Sequence, residues 1–113
     1  MWDFFETVRH RHSVREFRAG GAIEREKLHA VLEAACAAPS AGDLQSYRIY
    51  VVENAGLRRR LQQAADQGFV AAAPACLVFC ADTGRAAGQY GERGRTLFAL
   101  QDATIAAAYA QLA

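Results

Sequence analysis

The stretch that decides the fold is residues 96–113, TLFALQDATIAAAYAQLA, which contains neither glycine nor proline. It predicts one long helix with large apolar residues on nearly every side, namely Leu97, Phe98, Leu100, Ile105, Tyr109 and Leu112. A helix that is apolar all round must be buried all round, and no later element of these 113 residues covers it. We therefore expect a second subunit, or the rest of a longer domain, to cover this helix.

Two predicted strands precede that helix. Residues 47–53 (YRIYVVE) are rich in β-branched and aromatic side chains, and residues 75–81 (ACLVFCA) form a continuous apolar run. Such a run is typical of a strand that is covered on both faces. Because two strands of this kind do not make a stable sheet without neighbours, they also predict a contribution from outside these residues.

Three further stretches are predicted helices: residues 3–10, 24–37 and 54–66. Two are predicted to be extended or loop: residues 11–21 and, because of its four glycines, 82–95. Asp3 is a plausible cap with Glu6 in the first turn, and Asn54 caps the third helix. In that third helix, Leu57 and Leu61 are expected to mark the buried side.

The composition describes at most one domain, residues 1–113. Apolar residues make up 52% and charged residues 22%, and the formal net charge is +1. These values, together with the lack of any run of 18 uninterrupted apolar residues, exclude a membrane span, a disordered tail and a strongly basic nucleic-acid platform. The first eleven residues carry acids and bases without an apolar stretch and so do not resemble a secretion signal; we expect a cytoplasmic protein.

Cysteine and arginine are informative only through their placement. Cys36, Cys76 and Cys80 include no CxxC pair, and strand spacing puts the last two about 13 Å apart, so we interpret all three as buried free thiols. Twelve of the 13 basic residues are arginine. The run at residues 58–60 is interpreted as a solvated helix face, with a binding role as the alternative.

A candidate anion site lies near the amino terminus. Arg11, Ser13 and Arg15 alternate, so in an extended segment their side chains point to one side about 6.6 Å apart. Guanidinium groups match phosphate oxygens bidentately. The alternative is that these arginines are surface residues paired with Glu6 or Glu16.

The same segment contains His10 and His12, which alternate as some metal ligands do. No third ligand cluster accompanies them, and the neighbouring arginines would repel a cation, so no metal site is expected. The near-zero net charge and the lack of a stacking motif also argue against a nucleic-acid interface.

A second candidate site is the turn at residues 39–45, PSAGDLQ, between a predicted helix and a predicted strand. Ser40, Asp43 and Gln45 offer a hydroxyl, a carboxylate and an amide, while Ala41 and Gly42 leave room for a flat ligand near the backbone. The alternative is that Ser40 and Asp43 only hydrogen-bond their own turn.

Several segments together resemble the FMN-dependent nitroreductase family. They are RHSVREF (11–17), APSAGDLQSYRIYVV (38–52), APACLVFCAD (73–82), YGERG (90–94) and LQDATIAAAYAQLA (100–113). The resemblance implies an α+β fold, an α/β/α sandwich that is incomplete here and is completed by a dimer partner or by a missing C-terminal half. It also implies a homodimer with FMN at the interface, and hydride transfer from NAD(P)H to FMN and on to a small-molecule acceptor such as a nitroaromatic or a quinone. The alternative is a truncated, non-catalytic remnant that binds flavin or dimerises.

The resemblance also assigns the cofactor site. Arg11 would hold the FMN phosphate and Ser13 the phosphate or ribityl chain, with His12 between them. Arg15 would lie near the pyrimidine edge of the flavin, where a positive charge stabilises the anionic reduced form.

The second subunit would contribute the turn. Pro39, Ser40 and Ala41 would lie against the ring, with Asp43 and Gln45 close by. No side chain is expected to be catalytic, because the hydride step needs no acid or base from the protein.

The chain departs from the family pattern in three places. Asp43 stands where the family usually has asparagine, which puts a carboxylate beside an electron-rich ring. Ser46 and Tyr47 replace the usual proline and tryptophan. The second half of the family's domain, which supplies a backbone donor to flavin N5 and further phosphate-binding cations, is absent from these residues.

Overall fold

A computed structural model describes all 113 residues, Met1–Ala113. Five helices and two strands follow one another: α1 Phe4–His10, α2 Arg25–Cys36, β1 Tyr47–Val52, α3 Ala55–Ala65, β2 Cys76–Ala81, α4 Thr83–Arg93 and α5 Ala99–Leu112. Short 3-10 turns lie at Ala41–Asp43 and Val70–Ala72, and a π-helical turn, Gly94–Phe98, joins α4 to α5. None of the helices is long and apolar enough to cross a membrane.

Helix ends lie where the local chemistry predicts them. Asp3 and Glu6 form a reciprocal capping box at the start of α1, with N···O distances of 2.8 and 3.1 Å. The Asn54 side chain accepts a hydrogen bond of 3.0 Å from the Leu57 N–H at the start of α3. Helix α2 ends before Pro39, whose ring disfavours the helical conformation for the preceding residue. These predictions are confirmed.

The two strands form one antiparallel pair, with Tyr47 opposite Ala81 and Val52 opposite Cys76. Every residue of β2 is only half-buried, so the prediction of a strand covered on both faces is wrong for this chain by itself. The reason is that β1 is the only strand beside β2, and helices cover the sheet incompletely.

Helix α4 overturns the prediction of a loop at residues 82–95. The Asp82 side chain caps the helix by accepting a 3.0 Å hydrogen bond from the Arg85 N–H, and Ala86 is buried in the fold. Each glycine costs a helix about 1 kcal/mol relative to alanine, which packing of this kind can offset. Gly91 has φ +62°, so it bends the chain near the end of the helix.

The core lies where α5 packs between α2 and the sheet. Its buried members are small apart from Tyr47: Ala38, Tyr47, Ala103 and Ala106. Only 11 of the 113 residues are buried, and α5 and the turn before it leave Leu97, Leu100 and Tyr109 between 41% and 60% exposed. Within these 113 residues this apolar helix is thus covered on one side only, and its exposed side is where the all-round apolar pattern predicts a further covering element.

Two predictions of burial are wrong. Leu57 is 46% exposed, Leu61 is half-buried, and α3 has no fully buried residue. All three cysteines are free thiols, but Cys36 is exposed and Cys76 and Cys80 are half-buried. Cys36 is the last residue of α2.

Candidate functional site

The arginine segment begins where α1 ends. The Arg11 backbone N–H donates to the Thr7 carbonyl at 3.0 Å, and from Arg11 to Arg18 the chain has no helix or strand and every residue is exposed. This agrees with the predicted extended or loop segment. The Arg11 side chain lines a cleft of about 420 Å³ between the amino-terminal residues and the end of α5.

No acidic side chain neutralises Arg11 or Arg15. Neither residue takes part in any of the five ion pairs of the structure. The Glu6 carboxylate instead accepts from the Asp3 N–H, so the alternative of pairing with Glu6 or Glu16 is wrong. Arg15 places its guanidinium carbon 5.7 Å from the centre of the Phe69 ring. Both arginines therefore keep their donors available to an anion.

The histidines of this segment make local contacts. His10 Nδ1 lies 2.8 Å from the Glu6 carbonyl oxygen, and the ring stacks on Trp2 with a centroid separation of 4.3 Å. His12 Nδ1 lies 3.0 Å from the His10 carbonyl oxygen. These contacts orient the two rings along the backbone, while Ser13 is exposed between the arginines.

The turn after α2 holds two of its three predicted polar side chains inward. The Ser40 hydroxyl accepts a 3.0 Å hydrogen bond from the Gln45 N–H, and the Gln45 side-chain amide donates to the Cys36 carbonyl at 2.8 Å. The alternative of bonding within its own turn thus holds for Ser40. Asp43 is different, because its exposed carboxylate makes no hydrogen bond or ion pair.

The backbone of this turn is strained. Gly42, Asp43 and Gln45 have φ values of +59°, +55° and +51°. For a residue other than glycine, such a conformation costs about 1–3 kcal/mol and persists only where the surroundings enforce it. The turn therefore needs an external support.

That support is Asp102 on α5, which the sequence analysis did not single out. Its carboxylate is 2% exposed and accepts hydrogen bonds from the Ala41 N–H at 3.0 Å and the Ser46 N–H at 3.2 Å. The available signal was that Asp102 is the only charged residue in residues 96–113. A lone charge on an apolar helix is rarely buried without partners.

Helix α4 supplies two more residues that the predicted loop concealed. Arg85 donates to the Gln45 carbonyl at 3.3 Å. A Cβ at Gly42 would overlap the Tyr90 hydroxyl, so the space beside Gly42 is occupied by Tyr90. The predicted role of Gly42, room for a flat ligand, is therefore replaced by close packing against α4.

The two departures after the turn lie in the core. Ser46 and Tyr47 are 1% and 9% exposed, and neither hydroxyl has a hydrogen-bond partner. Burial, together with the neighbouring Cys36 thiol, raises the pKa of Tyr47 above its ordinary value of 10.0. Both residues thus bury a hydroxyl without a hydrogen-bond partner, at positions where an apolar side chain would leave no polar group unpaired.

The structure does not bring the two candidate groups together within one chain. No residue of the turn lines the cleft at Arg11, and no hydrogen bond links residues 11–15 to residues 39–45. A ligand that touches both groups would have to be shared between two chains.

Comparison with known proteins gives the same family by sequence and by shape. The model of the nitroreductase family matches residues 8–75. An NADH dehydrogenase of Thermus thermophilus is 42% identical over 73 residues, which are 64% of this chain and 35% of that protein. The solved structure of NfrA2 from B. megaterium has a TM-score of 0.86 at 26% identity, over 99% of this chain and 50% of that one.

A second solved structure is described as an NADPH:FMN oxidoreductase from Vibrio harveyi complexed with NAD⁺. It has a TM-score of 0.82 at 31% identity, over 96% of this chain and 50% of that one. The chain thus spans about a third of the curated relative and half of each solved chain.

Proposed function

Since the chain belongs to the nitroreductase family, we propose that it forms part of an FMN-dependent oxidoreductase. The fold resemblance drawn from the sequence is confirmed by the structural likeness to this family. In the proposed reaction, bound FMN takes a hydride from NAD(P)H and passes reducing equivalents to a small acceptor such as a nitroaromatic or a quinone. The relatives described as an NADH dehydrogenase and an NADPH:FMN oxidoreductase support this proposal.

The observation that carries the proposal is the pair of arginines without acidic partners. Arg11 and Arg15 are exposed, lie on one segment and make no ion pair. The planar fork of a guanidinium group matches the oxygens of a phosphate bidentately. We assign the FMN phosphate to Arg11 and Ser13, with His12 beside them, and the pyrimidine edge of the ring to Arg15.

The turn is proposed to face the flavin ring from the other subunit of a homodimer. Pro39 is exposed and Ala41 is half-exposed, so both present apolar surface to a flat ring. The separation of the turn from the arginines within one chain supports a site shared by two chains. The exposed apolar residues of α5 and of the turn before it supply the contact area that such a dimer needs.

Asp43 sets this chain's proposed site apart. Its exposed carboxylate would lie near Gln45 and Ser40 and would repel the anionic reduced flavin, whereas Arg15 would attract it. We expect the two charges to shift the flavin potential in opposite directions.

Titration with FMN, followed by visible absorbance and fluorescence, tests the proposal. Arg11→Ala is expected to weaken FMN binding by about 1.5–3 kcal/mol, or roughly tenfold to 150-fold, through loss of a charge-assisted contact. Binding of lumiflavin, which has no phosphate, is expected to be unchanged. Arg18→Ala, an exposed arginine of the same segment, is the matched control and should change neither affinity.

No flavin binding at tens of micromolar FMN would contradict the cofactor assignment. Equal FMN affinity of the Arg11→Ala and Arg18→Ala variants would show that the phosphate lies elsewhere.

The second candidate function is a flavin-binding or dimerisation module without turnover, which the large exposed apolar surface of α5 favours. Addition of NADH or NADPH to the flavin-loaded chain separates the two functions. Bleaching of the flavin absorbance supports the enzyme, and flavin that stays oxidised supports the module.

A further inference from the structure

We propose that Asp102 is a positioning residue for the proposed flavin site: from the far side of the turn, its buried carboxylate holds residues 41–46 in the conformation that faces the ring. This inference rests on the proposed function. It concerns a residue that is assigned no contact with the cofactor itself and that acts through the backbone N–H groups of Ala41 and Ser46.

The first argument is geometric. The two oxygens of Asp102 accept from Ala41 and Ser46, which are the first and last residues of the strained segment. Between these two anchors lie all three positive-φ residues of the turn. A single carboxylate with two bonds therefore fixes both ends of the segment and leaves the residues between them to present their surface outward.

The second argument concerns charge. Asp102 is 2% exposed, and no arginine, lysine or histidine lies within ion-pair distance of it. A buried carboxylate without a cation needs N–H donors, and the only ones it has belong to this turn. The carboxylate and the turn conformation thus stabilise each other, which a neutral residue of equal size would not reproduce.

The third argument is the contrast with the turn's own hydrogen bonds. Within the turn, the Asp43 N–H bonds to the Ser40 carbonyl at 3.1 Å and the Leu44 N–H to the Ala41 carbonyl at 3.2 Å. These local bonds close the turn, and Gln45 ties its far end to Cys36 of α2 and to Arg85 of α4. Asp102 connects it to α5, the helix at the centre of the core.

The test compares Asp102→Asn with wild type in the 113-residue chain. Asparagine keeps one acceptor oxygen but presents an NH₂ group to the second backbone N–H. We expect faster amide hydrogen exchange at Ala41 and Ser46, with exchange in β1 unchanged. We also expect FMN and lumiflavin affinity to fall by the same factor, about tenfold. Asp66→Asn, an exposed residue with a left-handed conformation that asparagine tolerates, is the control for removal of a charge.

Equal loss for both flavins separates this role from that of Arg11, whose variant loses FMN alone. Unchanged flavin binding by Asp102→Asn, in a chain that binds flavin, overturns the positioning role and leaves the proposed function intact. A wild-type chain that binds no flavin overturns both.

A measurement on the wild-type chain decides the matter if Asp102→Asn does not fold. Lumiflavin is expected to shift the ¹H–¹⁵N signals of Ala41 and Ser46 more than those of α3, which lies outside the proposed site. Binding without a shift at these two amides would contradict the positioning role.

Discussion

The Arg58→Ala substitution tests whether every arginine of the run at residues 58–60 lies on a solvated helix face. Arg58 Nη1 donates to the carbonyl oxygens of Ala71 and Ala73 at 2.6 and 2.5 Å, and Arg58 Nε donates to the Glu53 carbonyl at 3.2 Å. Arg58 thus binds the segment before β2 to α3. The interpretation of residues 58–60 as a solvated face is therefore wrong for Arg58.

The expected loss follows from those bonds. A hydrogen bond to a charged group contributes about 1.5–3 kcal/mol, and the two bonds to Ala71 and Ala73 are only half-buried, so water can replace them in part. Taking the lower end for each of the two, and little for the exposed third bond, we expect Arg58→Ala to lower the free energy of unfolding by about 2–4 kcal/mol.

Urea denaturation followed by circular dichroism measures this loss, with Arg59→Ala as the matched control. Arg59 is exposed and makes no hydrogen bond or ion pair, so its variant should stay within about 0.5 kcal/mol of wild type. Arg58→Lys should be intermediate, because one ammonium group cannot reproduce the planar guanidinium contacts. Equal stability of the Arg58→Ala and Arg59→Ala variants would refute the reasoning.

Two further predictions concern α4 and the core. Gly94→Ala is expected to destabilise the fold by about 2–3 kcal/mol, because its Cβ would overlap the Ala86 carbonyl. Gly88→Ala should instead stabilise the fold by about 0.5–1 kcal/mol, because nothing lies near its Cβ and the helix gains an alanine. Melting temperatures that shift in the same direction in both variants would contradict this. The raised pKa of Tyr47 means that its stabilising contribution is complete below about pH 10 and is lost as pH rises from there toward the folded-state pKa. The Tyr47→Phe variant should therefore lose less stability than wild type between about pH 9 and pH 11. At neutral pH its stability should match or exceed that of wild type, because the Tyr47 hydroxyl has no hydrogen-bond partner. A melting temperature that falls equally in both chains as the pH rises would argue against this prediction.

Local signals predicted most of the elements. The caps at Asp3 and Asn54, the proline after α2 and the apolar run of β2 each act within a few residues, so they can be recognised without the fold. Helix α4 was missed because its glycines weaken the local signal, and packing against the π-helical turn compensates for them.

The candidate site divides in the same way. Arg11 and Arg15 were predicted from spacing alone, and the structure added that no carboxylate neutralises them. Asp102 could not be assigned from sequence, because its partners Ala41 and Ser46 lie 61 and 56 residues away in the chain.

The sequence by itself determined every helix and strand except α4, together with the all-round apolar character of α5, the cluster of arginines and the family. These properties depend on residue type and on spacing over a few turns of chain. Only the tertiary structure decided which polar groups find hydrogen-bond partners and which surfaces are covered. The buried carboxylate under the strained turn and the arginine that binds a distant segment have partners, whereas the two buried hydroxyls have none and one face of α5 stays exposed. The physical reason is that burial and hydrogen bonding depend on residues far apart in the chain, which only the folded packing brings together.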